Sequence, residues 1–244
     1  MMNLIFCLPH AGGGAHHYLG WSAHIDSNIE WIPLDYAGHF SRMNEPVYST
    51  FEQAAHDLAN DIIIRADGRP FALFGHSMGG ALAYEIACLM SEQQFTENLR
   101  CIIVSSTLPA HSRNPNMPRY YELSDLDFIQ HLVETGGMTS QLAKQTTLME
   151  TYLPLIRQDY RLYHQYQPAI RLPLTLPLYT LWGEQEEERN QRMQDWANYS
   201  YAFAGSKTYP GDHFYWYHCL SEVATDISAI VRQSGSHQIN KCQE

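Results

Sequence analysis

The chain has 244 residues, 45% of them hydrophobic, so it can bury one sizeable core but is short for two independent domains. Its formal charge of −11 at pH 7 is spread along the sequence, which makes nucleic acid and an anionic membrane poor partners. Five cysteines without a Cys-x-x-Cys pair favour reduced thiols over disulfides or a zinc site. No segment approaches the about 20 apolar residues of a membrane-spanning helix. We therefore expect a single cytoplasmic domain over 1–244.

The first two predicted strands frame a glycine-rich loop. Residues 3–8 form a compact apolar run, which is closed by Pro9 and leads into a loop at 10–14 with three consecutive glycines. A weaker strand is predicted over 31–35. Apolar residues at helical spacing then predict a helix over 51–65. The order at the start of the chain is therefore strand, loop, strand, helix.

Later apolar runs predict the rest of a sheet. Residues 70–75 form a continuous apolar strand, and a helix rich in small residues follows at 79–90. The runs 101–104 and 176–182 do not alternate between apolar and polar residues, as expected of strands that are covered on both faces. Because the strands alternate with helices, we predict an α/β fold with a mainly parallel, doubly wound sheet.

The interval from about residue 111 to residue 173 is too long for a simple crossover between two strands. Residues 124–127 have the form of a capping box at a helix start, and apolar residues at helical spacing follow them. We interpret the interval as an inserted helical lid. The alternative is a set of ordinary additional core helices.

A nucleophile-elbow motif lies between the strand at 70–75 and the helix that follows it. The sequence Gly-His-Ser-Met-Gly at 75–79 has glycines on both sides of Ser77, which permit a tight, strained turn that lifts the serine hydroxyl clear of the sheet. A plain glycine-rich turn is the alternative, but the strand and the helix stand where the motif requires them. We therefore predict an α/β-hydrolase fold with Ser77 as the nucleophile.

A serine hydroxyl needs a base to take its proton, and in this fold the histidine follows both the serine and the acid along the chain. His213 satisfies that order, because it lies in a loop between an extended segment and the last predicted helix. His218 is expected inside that helix, and His164 belongs to the lid interval. His213 is accordingly the predicted base.

The third member of a triad orients the imidazole, and it should follow a late strand, between the serine and the histidine. Four glutamates at 184–188 meet this condition. We select Glu186, with Glu184 as the second candidate and Glu187 also open; for most of them a solvated, acidic helix start is the alternative. The segment Ser-Ser-Thr at 105–107, after the preceding strand, offers no carboxylate.

A tetrahedral intermediate requires two backbone N–H groups that stabilise its oxyanion. One should come from the residue after the nucleophile, Met78, and the other from the loop after the first strand, where Ala11 is the candidate. The glycines at 12–14 suggest a phosphate-binding loop as an alternative, but the Gly-Lys-Ser/Thr ending and the Gly-x-Gly-x-x-Gly spacing are both absent. Hydrolysis by such a site requires no metal and no organic cofactor.

Several longer segments carry a family pattern. They are Leu-Pro-His-Ala-Gly-Gly at 8–13, Gly-His-Ser-Met-Gly-Gly at 75–80, Leu-Ser-Asp at 123–125 with Phe128, Gly-Gly at 136–137, Leu-Pro-Leu-Ile-Arg-Gln-Asp-Tyr at 153–160 and Gly-Asp-His-Phe at 211–214. On these segments, nearly the whole chain resembles the type II thioesterases that accompany non-ribosomal peptide and polyketide synthases.

The resemblance implies hydrolysis of acyl groups held as thioesters on the phosphopantetheine arm of acyl or peptidyl carrier domains. Such domains would be the partners, and the reaction would release stalled assembly lines. By position, the resemblance assigns the same roles to Ser77, His213, Ala11 and Met78. The family usually has Gly-Asp-x-Asp after the late strand, whereas this chain has Gly-Glu-Gln-Glu at 183–186. Glu186 therefore stands in the place of the triad aspartate with one extra methylene.

Three other functions fit the same motifs. A free-standing esterase or lipase for small esters would use the same triad, and an acyltransferase would use it if the site excluded water and admitted an alcohol or amine. An inactive subunit that only binds carrier domains is the non-enzymatic alternative, which the retention of serine, histidine and a candidate acid argues against.

Overall fold

The computed structural model describes residues 3–114, 116–186 and 192–239 of the chain. In these ranges six strands form one sheet, in which all neighbouring pairs are parallel. The strands are β1 (Asn3–Leu8), β2 (Ile29–Pro33), β3 (Phe71–His76), β4 (Leu99–Ser105), β5 (Leu178–Gly183) and β6 (Phe203–Tyr209). Their order across the sheet is β2-β1-β3-β4-β5-β6. The predicted parallel α/β sheet is confirmed.

Helices connect the strands and cover the sheet. They are α1 (Phe51–Ala66), α2 (Met78–Glu92), α3 (Asp125–Glu134), α4 (Ser140–Ala143), α5 (Thr146–Gln165) and α6 (Trp216–Ile239), which has a non-helical backbone at Cys219. Within the described ranges, none of the helices has both the length and the apolar character needed to cross a bilayer.

Two hydrophobic cores lie on opposite faces of the sheet, because successive side chains of a strand point to opposite sides. In β1, Leu4, Phe6 and Leu8 belong to the core that includes α1 and α2. Ile5 and Cys7 belong to the core that includes α6. Each fully buried leucine or isoleucine contributes roughly 1.5–3 kcal/mol. Burial on both faces explains why the strand sequences are continuously apolar.

Strand β2 differs from its prediction by two residues, since it covers Ile29–Pro33 and not 31–35. Ile29 pairs with Asn3 at the start of β1, and Pro33 pairs with Cys7. Pro33 lacks an N–H, which is tolerated because β2 is the edge strand of the sheet. Proline also delays β5, which begins at Leu178, directly after Pro177.

The interval between β4 and β5 contains α3, α4 and α5. The predicted helix start is present, since the Ser124 side chain accepts a hydrogen bond from the backbone N–H of Asp127 at 3.2 Å. These helices share a small core of their own, formed by Phe128, Leu132, Met138, Met149, Leu153 and Ile156. The interpretation of 111–173 as a lid, and of the chain as one domain, stays a prediction.

Gly79 brings the first turn of α2 against the end of β1. A Cβ atom on Gly79 would lie 2.1 Å from the carbonyl oxygen of Leu8 and 2.5 Å from that of Pro9. Both obstacles are backbone atoms, which cannot rotate away as a side chain can. Only glycine permits this approach, and it holds the loop after β1 next to the start of α2.

We predict that Gly79→Ala lowers the free energy of unfolding by about 1–3 kcal/mol through overpacking. Intrinsic helix propensity alone would have the opposite sign, because alanine is favoured over glycine by about 1 kcal/mol. Gly20→Ala is the matched control, since a Cβ there meets nothing within 4 Å. Urea unfolding of both variants tests this, and a Gly79→Ala variant as stable as Gly20→Ala would contradict the packing argument.

Candidate active site

Ser77 occupies a strained turn between β3 and α2. Its backbone has φ +55° and ψ −120°, a conformation that costs a non-glycine residue on the order of 1–3 kcal/mol. The turn is held by hydrogen bonds from the Ser77 N–H to the Ser105 carbonyl at 2.8 Å and from the Gly80 N–H to the Ser77 carbonyl at 2.9 Å. Every residue from Phe71 to Met90 is buried except Ser77. The turn therefore presents this one side chain at the carboxyl end of the sheet.

Gly75 explains why the turn can be this tight. A Cβ atom on Gly75 would lie 2.0 Å from the carbonyl oxygen of Gly79 and 2.6 Å from the nitrogen of Gly80. The two sides of the elbow thus touch through backbone atoms alone. Together with the contact of Gly79 on β1, this accounts for both glycines of the motif at 75–79.

His213 and Glu186 form a hydrogen-bonded pair. The Nδ1 atom of His213 lies 2.8 Å from Oε1 of Glu186, whose side chain is only 6% exposed. An ionised carboxylate can only accept, so Nδ1 carries the proton of the neutral imidazole and the lone pair is on Nε2. The ring of His213 lies 4.9 Å from that of His76, the residue that precedes Ser77. This tautomer is the one that a general base requires, and the role of His213 as the base for Ser77 stays a prediction.

The loops after β5 and β6 are joined through their backbones. A Cβ atom on Gly183 would lie 2.1 Å from the carbonyl oxygen of Asp212, so the backbones of the two loops are in direct contact. The N–H of Gln185 donates to the Gly211 carbonyl at 2.9 Å, and the N–H of Glu184 donates to the Tyr209 carbonyl at 2.9 Å. These contacts bring the segment that carries Glu186 to the segment that carries His213.

The other candidates for acid and base are placed differently. Glu184 is exposed, and Glu187 lies outside the described residues. Asp212 is also exposed, and its carboxylate accepts from the N–H of Phe214 at 2.9 Å. His218 lies in α6 and His164 in α5, as predicted.

Ser106 is a residue of the site that sequence reasoning missed. Its hydroxyl donates to Oε2 of Glu186 at 2.6 Å, so the second carboxylate oxygen also has a partner. Of the segment at 105–107, the sequence predicts only that it supplies no carboxylate. The available signal was its position, because it ends the strand next to β5 and the carboxyl ends of parallel strands share one edge.

Two other histidines of this region, His10 and His17, add no charge to the pair. Burial lowers the pKa of His10 well below its usual value, and the neighbouring His17 and His213 lower it further. Burial also lowers the pKa of His17 to about 4. Both rings are therefore neutral near pH 7. A neutral His10 does not oppose the positive charge that His213 acquires when it accepts a proton.

The two predicted oxyanion donors belong to segments that meet at this edge of the sheet. Met78 is the first residue of α2, where backbone N–H groups have no partner inside the helix. Ala11 lies in the loop after β1, which is turned by a hydrogen bond from the Gly13 N–H to the His10 carbonyl at 2.8 Å. The contact of Gly79 with Leu8 holds this loop next to α2. Their roles as donors stay predictions.

A family model described as the thioesterase domain matches residues 3–231. The chain belongs to the thioesterase family. The medium-chain S-acyl fatty acid synthase thioesterase of Rattus norvegicus is 26% identical over 214 residues, which cover 86% of this chain and 80% of the relative. The gramicidin S biosynthesis protein GrsT of Aneurinibacillus migulanus is 26% identical over 226 residues, which cover 90% and 85% of the two chains.

Solved structures agree with this family. ClbQ from the colibactin NRPS/PKS pathway superposes with a TM-score of 0.88 at 25% identity, over 96% of this chain and 99% of ClbQ. The type II thioesterase BorB from the borrelidin biosynthetic cluster superposes with a TM-score of 0.82 at 26% identity, over 95% of this chain and 93% of BorB. The predicted α/β-hydrolase fold and the predicted resemblance to type II thioesterases are confirmed.

For a thioesterase with this geometry, we predict that Glu186→Gln lowers kcat/KM for an acyl thioester by roughly 10³- to 10⁴-fold. The amide cannot stabilise the imidazolium, and it can turn its NH₂ group toward Nδ1. Glu184→Gln, which removes an exposed carboxylate two residues away, should stay near the wild-type value. Steady-state kinetics of both variants test the assignment, and a severe loss in Glu184→Gln with a mild one in Glu186→Gln would reverse it.

Proposed function

We propose that this thioesterase hydrolyses acyl groups from the phosphopantetheine arm of carrier domains in non-ribosomal peptide and polyketide synthesis. The observation that carries the proposal is the half-buried Ser77 on a strained elbow beside the His213–Glu186 pair, in a chain of the thioesterase family. The substrate class is supported by ClbQ, from an NRPS/PKS pathway, and by the type II thioesterase BorB, which this chain matches over nearly their whole length. Free thiols at Cys7, Cys88 and Cys101 suit the cytoplasm, where we expect it to act.

The first half-reaction forms an acyl-enzyme. The Oγ atom of Ser77 bonds to the thioester carbonyl carbon while Nε2 of His213 takes the hydroxyl proton. The carbonyl electron pair moves to its oxygen, where the N–H groups of Ala11 and Met78 stabilise the negative charge. Collapse of this intermediate breaks the carbon–sulfur bond, and the proton on His213 passes to the departing sulfur, which leaves as the free thiol of the arm.

Hydrolysis of the acyl-enzyme repeats these steps with water as the nucleophile. His213 takes a proton from water as its oxygen bonds to the acyl carbon, and then returns the proton to Oγ of Ser77. Glu186 stabilises the imidazolium in both halves through its bond to Nδ1. Ser106 holds the other carboxylate oxygen, so that the acid does not rotate away from the ring.

The alternatives differ in what the site accepts. An oxygen ester would pass through the same steps, because attack on either carbonyl develops the same oxyanion. An acyltransferase would replace water with an alcohol or an amine in the second half. Only the substrate and the product distinguish these reactions, so the experiment must follow both.

We predict that the wild-type enzyme removes only the acyl mass from an acylated carrier domain, while Ser77→Ala removes none. The alanine variant lacks the nucleophile but keeps the elbow, and it serves as the control for spontaneous hydrolysis. Intact-mass spectrometry of the carrier is the measurement. The released product must be the free acid, since an ester or an amide would indicate transfer.

Dependence on the carrier is tested on the same acyl group attached to a small thiol. A higher kcat/KM for the carrier-bound substrate supports docking of a carrier domain. Equal values for the two substrates would argue against carrier recognition. An intact acyl-carrier together with cleavage of a soluble ester would replace the proposal with an esterase.

A further inference from the structure

A buried carboxylate on α5 contacts the loop that carries Ala11. Asp159 is 2% exposed, and its Oδ2 atom accepts a hydrogen bond from the backbone N–H of Gly12 at 2.7 Å. Gly12 directly follows Ala11 in the loop after β1. The contact joins residues that are 147 positions apart, and none of the catalytic steps uses Asp159.

A histidine from a third segment lies next to the Asp159 carboxylate. The Nε2 atom of His39, in the loop after β2, lies 3.1 Å from Oδ2, and both side chains are 3% exposed. Its Nδ1 lies 3.1 Å from the Ala37 carbonyl, which can only accept, so Nδ1 is protonated. Burial lowers the pKa of His39, but the Asp159 carboxylate more than offsets this, and the pKa is raised overall. The Gly12 N–H and the His39 ring thus lie within 3.1 Å of the same buried carboxylate oxygen.

A second contact from α5 reaches the same glycine. A Cβ atom on Gly12 would lie 2.5 Å from Cγ1 of Ile156, one helical turn before Asp159. Gly12 has φ +73°, in the left-handed region that favours glycine. The loop backbone is therefore pressed against one side chain of α5 and hydrogen-bonded to another.

The contacts from α5 matter because the backbone of the glycine-rich loop is intrinsically free to change conformation. The loop contains glycines at 12–14, and glycine adopts positive and negative φ with similar ease. An oxyanion donor is effective only if its N–H is already oriented before charge develops. A hydrogen bond to an ionised carboxylate is stronger than one to a neutral acceptor, and here it fixes the residue next to the donor.

We infer that Asp159, held by His39, is a positioning residue for the oxyanion loop, through which α5 sets the stabilisation of the transition state. The inference rests on the proposed role of the Ala11 N–H. The side chain of Asp159 acts through the backbone of Gly12. Its removal should therefore affect bound states that carry an oxyanion and leave ground-state binding unchanged.

The test compares Asp159→Ala with Asp159→Asn, and uses Glu150→Ala as a matched control, because Glu150 is an exposed acid on the same helix. Asp159→Ala should lower kcat by roughly 10²-fold, comparable to the loss of an oxyanion donor, with little change in KM. Asparagine keeps an acceptor for the Gly12 N–H, so Asp159→Asn should stay within roughly 10-fold of wild type. Glu150→Ala should match wild type. The substrate is a small acyl thioester, so that carrier docking does not enter.

Inhibition by two substrate analogues separates positioning from a structural role. An acyl trifluoromethyl ketone forms an adduct with Ser77 that carries an oxyanion, whereas the corresponding thioether does not. The inhibition constant of the ketone should rise in Asp159→Ala as kcat/KM falls, while that of the thioether stays constant. If Asp159→Ala does not fold, the same ratio in Asp159→Leu decides, because leucine keeps the size of the side chain but offers no acceptor to the Gly12 N–H.

The inference is overturned if a folded Asp159→Ala has the wild-type kcat and ketone inhibition, or if both analogues weaken equally. Failure of the proposed function gives different results, and neither depends on Asp159: an acylated carrier that stays intact would overturn the carrier substrate, and a Ser77→Ala variant that binds the ketone as tightly as wild type would overturn the nucleophile. The first set of results concerns α5 and the loop, and the second concerns the carrier substrate and the nucleophile.

Discussion

The backbone of Ser77 has a conformation that a residue with a side chain adopts only when its surroundings impose it. Here the surroundings are other pieces of backbone, at Gly75, Gly79 and Gly80, which approach to distances that any Cβ atom would forbid. The hydrogen bond from Ser77 to the Ser105 carbonyl ties the elbow to β4. The strain at one residue is thus offset by the packing of β1, β3, β4 and α2 around it. The proposed nucleophile depends on this rigid centre for its direction.

The parallel sheet is the reason that the rest of the site can assemble. Loops that follow β1, β3, β4, β5 and β6 all leave from the same edge, and each contributes one element. The proposed acid comes from the loop after β5, and the proposed base comes from the loop after β6. Backbone contacts of Gly183 and Gln185 with 211–212 fix these two loops to each other. In this arrangement Glu186, whose side chain is one methylene longer than that of aspartate, is hydrogen-bonded to His213. Ser106, directly after β4, donates a hydrogen bond to the second carboxylate oxygen of Glu186.

Charge is distributed in this site according to what each group can compensate. His10 and His17 are kept neutral by burial, so these two rings would not oppose the imidazolium of His213. The carboxylate of Asp159 is buried as well, but it has His39 at 3.1 Å and a backbone donor. Helix α5 contacts the glycine-rich loop while also sharing the small core of the interval after β4. Movement of these helices would therefore alter the loop directly.

The sequence alone determined the elbow, the strands β1, β3, β4 and β5 and the helices α1 and α2, because each depends on local periodicity or on a short motif. It also predicts the order of serine, acid and histidine. It also determined that 111–173 is rich in helix, since the Ser124 cap and the apolar spacing are local signals. Tertiary structure decided that Glu186 contacts His213 while Glu184 is exposed, because the two have the same local pattern and the backbone contacts with the next loop place them differently. It also decided the contacts of Ser106 with Glu186, 80 positions away, and of Asp159 with Gly12, 147 positions away. Such pairings are set by how the strand ends and helices pack, and that arrangement leaves no periodic signal in the chain.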